Sequence, residues 1–323
     1  MTTPDRRLIG VVVMAYGSPR TRDEVLPYYT DIRRGRPPTE QQLADLLARY
    51  EAIGSTGDDL SPLTARTEAQ GLALQHALDA VRPGTFEVAL GFKHTTPSIE
   101  HAVDQLAARG VRSIVGLVLA PHYSALSVGQ YHDRLRSAAA RHGIDVATID
   151  SWATEPALVS FLAREVRSCL GRMPPDTKVL FTAHSLPARV LAEGDPYPAE
   201  LRATAAAVAA EAGLAPWSQW AVAWQSAGRT PEPWLGPDVL QVVDELAHAE
   251  HHAPPGGDDR IGLLVCACGF VADHLEVLYD LDVEAAGRAR DHGLEFARTS
   301  CVNDDPEVMA ALARLVTERV DVA

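Results

Sequence analysis

Long hydrophobic runs are missing from this sequence. No apolar stretch in its 323 residues approaches the ~20 needed to span a bilayer, which excludes a transmembrane helix. The leading MTTPDRR runs into a short apolar stretch at 8–14 and lacks a small-residue cleavage pattern, so a cytoplasmic protein without membrane attachment is expected. Cysteine is scarce. The four present, Cys169, Cys266, Cys268 and Cys301, make no disulfide framework in a chain this long, and no CxxC spacing supports a metal or iron–sulfur site. Cys266, Cys268 and Cys301 read as buried apolar thiols. Neither GxGxxG nor a Walker A run opens any strand-to-helix turn, which argues against dinucleotide or P-loop nucleotide binding. Basic residues are outnumbered, 29 Lys and Arg against 43 Asp and Glu, so a nucleic-acid surface is not expected. The excess of negative charge favours cations, and an anionic ligand would need a local basic patch.

What the chain does contain is regular alternation. Strands are predicted at 8–14, 86–92, 112–119 and 144–149, and again at 177–182, 217–225, 260–268 and 294–299. Helices are predicted at 22–34, 40–53, 63–81, 98–109, 128–142, 155–169, 198–212, 237–249, 271–284 and 307–320. Thr39 and Gln42 form a capping-box pattern, and Asp305-Pro306 caps and opens the last helix. Eight strands in two groups of four, alternating with helices, predict an α/β protein with parallel sheets and right-handed crossovers. Two similar lobes facing a cleft fit the count better than one large sheet. The expected boundaries are a first lobe at 1–150, a second at 151–305, and a terminal helix at 306–323 that is a candidate to pack back on the first.

The stretch 271–284, VADHLEVLYDLDVE, places Glu276, Asp280 and Glu284 at i, i+4 and i+8 on one helix face. With no lysine or arginine in the stretch to offset their repulsion, a hard cation is a natural partner. A solvated acidic face is the alternative. What weighs toward a site is the preceding strand RIGLLVCAC and its turn at Gly269-Phe270, because ligands of open α/β sheets lie at carboxyl ends of strands. The other strand ends carry Tyr16, Lys93-His94, Tyr123-Ser124, His184 and Gln225-Ser226. Histidine, tyrosine and carboxylate without a phosphate cradle suggest acid–base or metal chemistry. His184 is either a buried structural histidine or a proton acceptor or ligand. His94 has the same two readings, with structure favoured.

Several motifs together match a known family. Ala183-His184-Ser185-Leu186-Pro187, Pro121-His122-Tyr123-Ser124 with Tyr131 downstream, Trp224-Gln225-Ser226 with Pro233-Trp234-Leu235-Gly236-Pro237, and the run from Gly269 to Asp280, GFVADHLEVLYD, closely resemble the ferrochelatases. The resemblance covers nearly the whole chain from Met14 onward. Within the family, Met14-Ala15-Tyr16-Gly17-Ser18-Pro19 and Ile32-Arg33-Arg34-Gly35-Arg36 look like the soluble Gram-positive enzymes that insert iron into coproporphyrin III, giving coproheme.

That resemblance implies two chelatase-like lobes, each a four-stranded parallel sheet flanked by helices, with a porphyrin cleft between them. It places His184 and Glu276 on the catalytic pair, Tyr16 near the metal's axial position, and Asp280 and Glu284 on an acidic line that passes metal or holds Mg²⁺. The implied metal-handling set is therefore His184, Glu276, Asp280 and Glu284. Candidates for the propionates are Arg33, Arg34, Lys93, Tyr123, Ser124 and Ser226, since charge-assisted pairs suit carboxylates, with Trp234 against the macrocycle. An exposed basic helix end is the other reading of Arg33-Arg34. Family members with a [2Fe–2S] cluster carry one cysteine in the segment matching 123–129 and three in a C-terminal extension. Here that segment is YSALSVG, with Ala125 at the ligand position, and no cluster is expected. The expected partners are coproporphyrin III and Fe²⁺ as substrates, and the expected state is monomeric. A protoporphyrin IX enzyme and a non-catalytic porphyrin or haem carrier are the alternatives.

Overall fold

The computed structural model describes residues 8–55, 60–216, 218–228, 230–248 and 260–322. The leading MTTPDRR, the centre of the 54–62 loop, Trp217, Arg229, the last residue of the predicted helix 237–249 and most of the polar loop 251–260 lie outside the described residues.

Continuous β-branched runs become strands buried on both faces. β1 (Ile9–Ala15) shows this most fully, with Val11 through Met14 at most 1% exposed. It is flanked by β2 (Phe86–Phe92) on one side and β3 (Ser113–Val118) on the other, and β4 (Asp145–Ile149) pairs with β3. The order is β2-β1-β3-β4, all parallel. The second sheet repeats it. β5 (Asp176–His184), β6 (Trp220–Gln225), β7 (Ile261–Cys266) and β8 (Glu295–Arg298) are ordered β6-β5-β7-β8, again all parallel.

The chain divides into two compact units, Met1–Trp152 with Asn303–Ala323, and Ala153–Val302. The helix Pro306–Val322 belongs to the first. Asp305 Oδ1 accepts from the amides of Glu307 and Val308 at its start, and Arg319 Nε donates to Thr148 O at 2.7 Å near its end. The capping box on the helix Glu40–Ala52 forms as expected, with Thr39 and Gln42 bonded reciprocally. Each unit has its own core, centred on Met14, Leu106, Ile114 and Leu135 in the first and on Leu180, Val243, Leu263 and Val265 in the second. Among the described residues no helix is long and apolar enough to cross a membrane.

The acidic stretch departs from the single α-helix expected at 271–284. One α-turn, Leu275–Val277, leads into a π-helix, Leu278–Ala285, and then an α-helix, Ala286–Asp291. The cause is legible in the core. Val277, Leu281, Ala285 and Ala289 recur at a strict four-residue spacing and all are fully buried. In an α-helix of 3.6 residues per turn such a stripe drifts around the axis. A segment with i→i+5 bonding holds more residues per turn, drifts the other way, and returns the stripe to the core.

Candidate active site

In each sheet the chain leaves the first strand to one side and later crosses to the other, so the carboxyl ends of the two central strands form a topological switch point, where open α/β sheets bind ligands. His184 is the last residue of β5, and Glu276 follows β7 through the turn at Gly269. That turn tolerates only glycine, because a Cβ at 269 would lie 2.3 Å from Ala183 Cβ and 2.8 Å from its Cα. The two elements that carry the pair are thus pressed together directly beneath it.

His184 Nε2 lies 3.6 Å from Glu276 Oε1, with the side chains 35% and 40% exposed. His184 Nδ1 donates to Ser185 O at 2.5 Å, which leaves Nε2 directed at the carboxylate. On the other side of Glu276, His274 Nε2 lies 3.8 Å from Oε2, while His274 Nδ1 donates to Ala272 O at 3.1 Å. Burial disfavours charge on His184, but the Glu276 carboxylate outweighs it and raises the imidazole above its ordinary value. Burial likewise opposes ionisation of Glu276. The two imidazoles prevail and hold its carboxyl well below the usual range. The result is a carboxylate that stays ionised beside an imidazole that readily takes a proton.

The backbone under the pair is braced by Tyr197, which carries no local sequence signal, and by Gln225 at the end of β6. Tyr197 Oη donates to His184 O at 3.0 Å, and Gln225 Nε2 donates to Glu276 O at 3.0 Å while its Oε1 accepts from Thr182 Oγ1 at 2.8 Å. Tyr197 and Gln225 come from a helix and from β6, and both are buried.

The expected carboxylate ladder of Glu276, Asp280 and Glu284 meets three different settings in the fold. Among the described residues no three or more His, Cys, Asp or Glu side chains gather closely enough to hold a metal ion. Each carboxylate has its own partner: His184 and, from within the stretch, His274 for Glu276, the Ser226 hydroxyl for buried Asp280, and Arg288 as the cation near exposed Glu284. Ser226 holds its bond to Asp280 from a left-handed backbone, φ 59°. Its hydroxyl is therefore committed inward. Ser124 is fully buried, its Oγ accepting from Leu126 N at 3.1 Å.

In the first unit the structure brings Tyr16, Lys93 and Arg34 to the carboxyl end of the sheet. Tyr16 follows β1, is 40% exposed and packs its ring against His94. Lys93 Nζ donates to Gln130 Oε1 at 2.7 Å and sits 5.1 Å from the Tyr131 ring centroid. Burial, then the charges of Arg134 and Arg34, lower it to about 8. This is the local basic patch an anionic ligand needs. Arg33 lies over the Tyr29 ring at 5.8 Å, with Nε donating to Arg36 O. Tyr123 is half-buried against the core of the first unit. Trp234 is half-buried on its turn in the second unit, Nε1 donating to Thr230 Oγ1 at 3.0 Å. All four cysteines are free and buried, and burial pushes the Cys266 thiol up to about 12.

Two parallel sheets of this order, with a histidine and a carboxylate at the switch point of the second, define a chelatase fold. SirB from Bacillus subtilis, solved with Fe³⁺, shares that fold at a TM-score of 0.57 and 12% identity, covering 97% of this chain and 95% of that one. The ferrochelatase family profile matches residues 8–320, and the chain belongs to the ferrochelatase family. The coproporphyrin III ferrochelatase of Geobacillus kaustophilus (strain HTA426) is 41% identical over 320 residues, 97% of this chain and 96% of that relative. The coproporphyrin III ferrochelatase of Bacillus subtilis (strain 168) is 38% identical over 321 residues, 98% and 99% of the two chains.

Proposed function

We propose that this enzyme inserts Fe²⁺ into coproporphyrin III to give coproheme III in haem biosynthesis. The near full-length identity of about 40% to relatives named for that reaction carries the reading, and the His184 and Glu276 geometry supports it. Two pyrrole N–H protons leave the macrocycle as the ion enters. His184 Nε2 accepts the two pyrrole protons in turn, passing the first to solvent before it takes the second, and Glu276, ionised throughout, stabilises the imidazolium each time. His274 holds the Glu276 carboxylate from its far side. Tyr16 contributes a phenol oxygen to the reaction. Lys93, with Arg33 and Arg34, binds propionates as charge-assisted partners, Tyr123 adds a hydroxyl to them, and Trp234 packs against the ring. Fe²⁺ is a substrate, and the chemistry proposed uses no resident cofactor. The enzyme acts as a cytoplasmic monomer.

The test is anaerobic turnover of purified apo-porphyrin with Fe²⁺, followed by loss of the free-base absorption. His184→Ala should lose turnover by about two orders of magnitude or more. Near-normal turnover of that variant would sink the assignment of the pair.

A further inference from the structure

His94 is left without work by the chemistry above, yet it is closely constrained. It stands just past β2, and its amide donates to Tyr16 O at 3.1 Å, extending the parallel β1–β2 pairing beyond the strands. Its Nδ1 lies 2.7 Å from Asp31 Oδ2, on the helix Val25–Ile32. A carboxylate only accepts, so Nδ1 carries the proton and the ring cannot rotate without breaking that bond. The Tyr16 ring rests on it, with centroids 4.5 Å apart and planes at 57°. The turn between them is interlocked: Gly17 has φ 85°, and a Cβ there would lie 2.3 Å from Thr95 Oγ1.

The exposures tell what the arrangement is for. His94 is 14% exposed, Asp31 60% and Tyr16 40%. A contact with so open a carboxylate contributes little to stability. It does fix an otherwise free ring. Burial and the neighbouring Lys93 and Arg134 charges, working against Asp31, keep His94 below its ordinary value and so favour an uncharged platform.

We propose that Asp31 and His94 are positioning residues for Tyr16: the carboxylate clamps the imidazole, and the clamped ring sets the direction in which the phenol leaves the end of β1. This rests on the assignment of Tyr16 to the reaction. An open strand-end phenol without such a platform would sample several rotamers, and a misplacement of about 1 Å at a reacting centre can cost on the order of 100-fold in rate.

The experiment measures kcat and KM for anaerobic Fe²⁺ insertion into coproporphyrin III, with the thermal midpoint recorded for each variant. His94→Ala and Asp31→Ala should each lower kcat about tenfold while KM stays within about twofold, the mark of lost alignment rather than lost binding. The double variant should be no worse than His94→Ala alone, because both cut one link. Asp31→Asn, whose amide oxygen still accepts from Nδ1, should recover most of the rate. In a Tyr16→Phe background neither alanine change should have a further effect. A kcat within about twofold of the parent for both alanine variants overturns the proposal, as does an equal loss in the Tyr16→Phe background. Should Tyr16→Phe itself turn over at the parent rate, the Tyr16 assignment falls and this proposal falls with it. If His94→Ala does not fold, exposed Asp31 carries the same test.

Discussion

His184 Nε2, at the end of β5, lies 3.6 Å from Oε1 of Glu276 in the helical turn after β7, and Glu276 is shared on its other oxygen with His274 at 3.8 Å. A carboxylate between two imidazoles keeps the proton acceptor basic without itself taking the proton. Removing its charge while keeping its shape isolates that role. Glu276→Gln should lower kcat for Fe²⁺ insertion by roughly 10²–10⁴, with the KM for porphyrin little changed, in steady-state assays under anaerobic conditions.

The same pair sets a pH window for stability. Glu276 is depressed in the folded state, so its contribution is present above the ordinary carboxyl value of 4.5 and is lost as pH falls through the folded value. His184 is raised, so its contribution is complete below the ordinary 6.5 and is lost as pH rises through the folded value. Both act together between about 4.5 and 6.5. The difference in urea midpoint between the wild-type protein and Glu276→Gln should be greatest in that window and should narrow on either side of it.

Lys93 titrates where enzymes are assayed. With its ammonium lowered to about 8, positive charge at the end of β2 is present below that pH and disappears above it. The KM for coproporphyrin III should rise as pH passes upward through this value. Lys93→Met should show a raised KM that no longer depends on pH there, read from initial rates across the range.

Asp280 and Glu284 stand in different settings. Asp280 is 6% exposed and accepts from Ser226, whereas Glu284 is exposed. Asp280→Ala leaves the part-buried Ser226 hydroxyl without its acceptor and should cost about 1–3 kcal/mol in denaturant unfolding. Glu284→Ala should stay within about 0.5 kcal/mol of the parent.

Much of this architecture is readable from the sequence because each strand is a short apolar run bounded by turn residues, and the predicted 86–92 coincides with β2. His184 stands out because it closes a buried strand and Glu276 because it opens the acidic run beyond one, while their pairing is read from the family motifs. The π-helix does not stand out. Its four-residue apolar spacing at Val277, Leu281, Ala285 and Ala289 resembles an α-helical stripe, and only the bonding register separates the two. The partners of the site are equally hidden. Ser226 for Asp280, Gln225 for the Glu276 carbonyl and Asp31 for His94 come from far along the chain, so no local pattern announces them. The short helix Arg189–Ala192 is likewise unsignalled, being too brief to show any periodicity.

The most direct measurement compares initial rates of anaerobic Fe²⁺ insertion into coproporphyrin III and protoporphyrin IX at matched concentrations. Coproporphyrin carries more propionates for Lys93 and its neighbouring arginines, and each added charge-assisted bond of about 1.4 kcal/mol is a factor of about ten. A kcat/KM at least about tenfold higher for coproporphyrin III is the expected result. Equal or reversed preference would contradict the assignment of this enzyme to coproporphyrin.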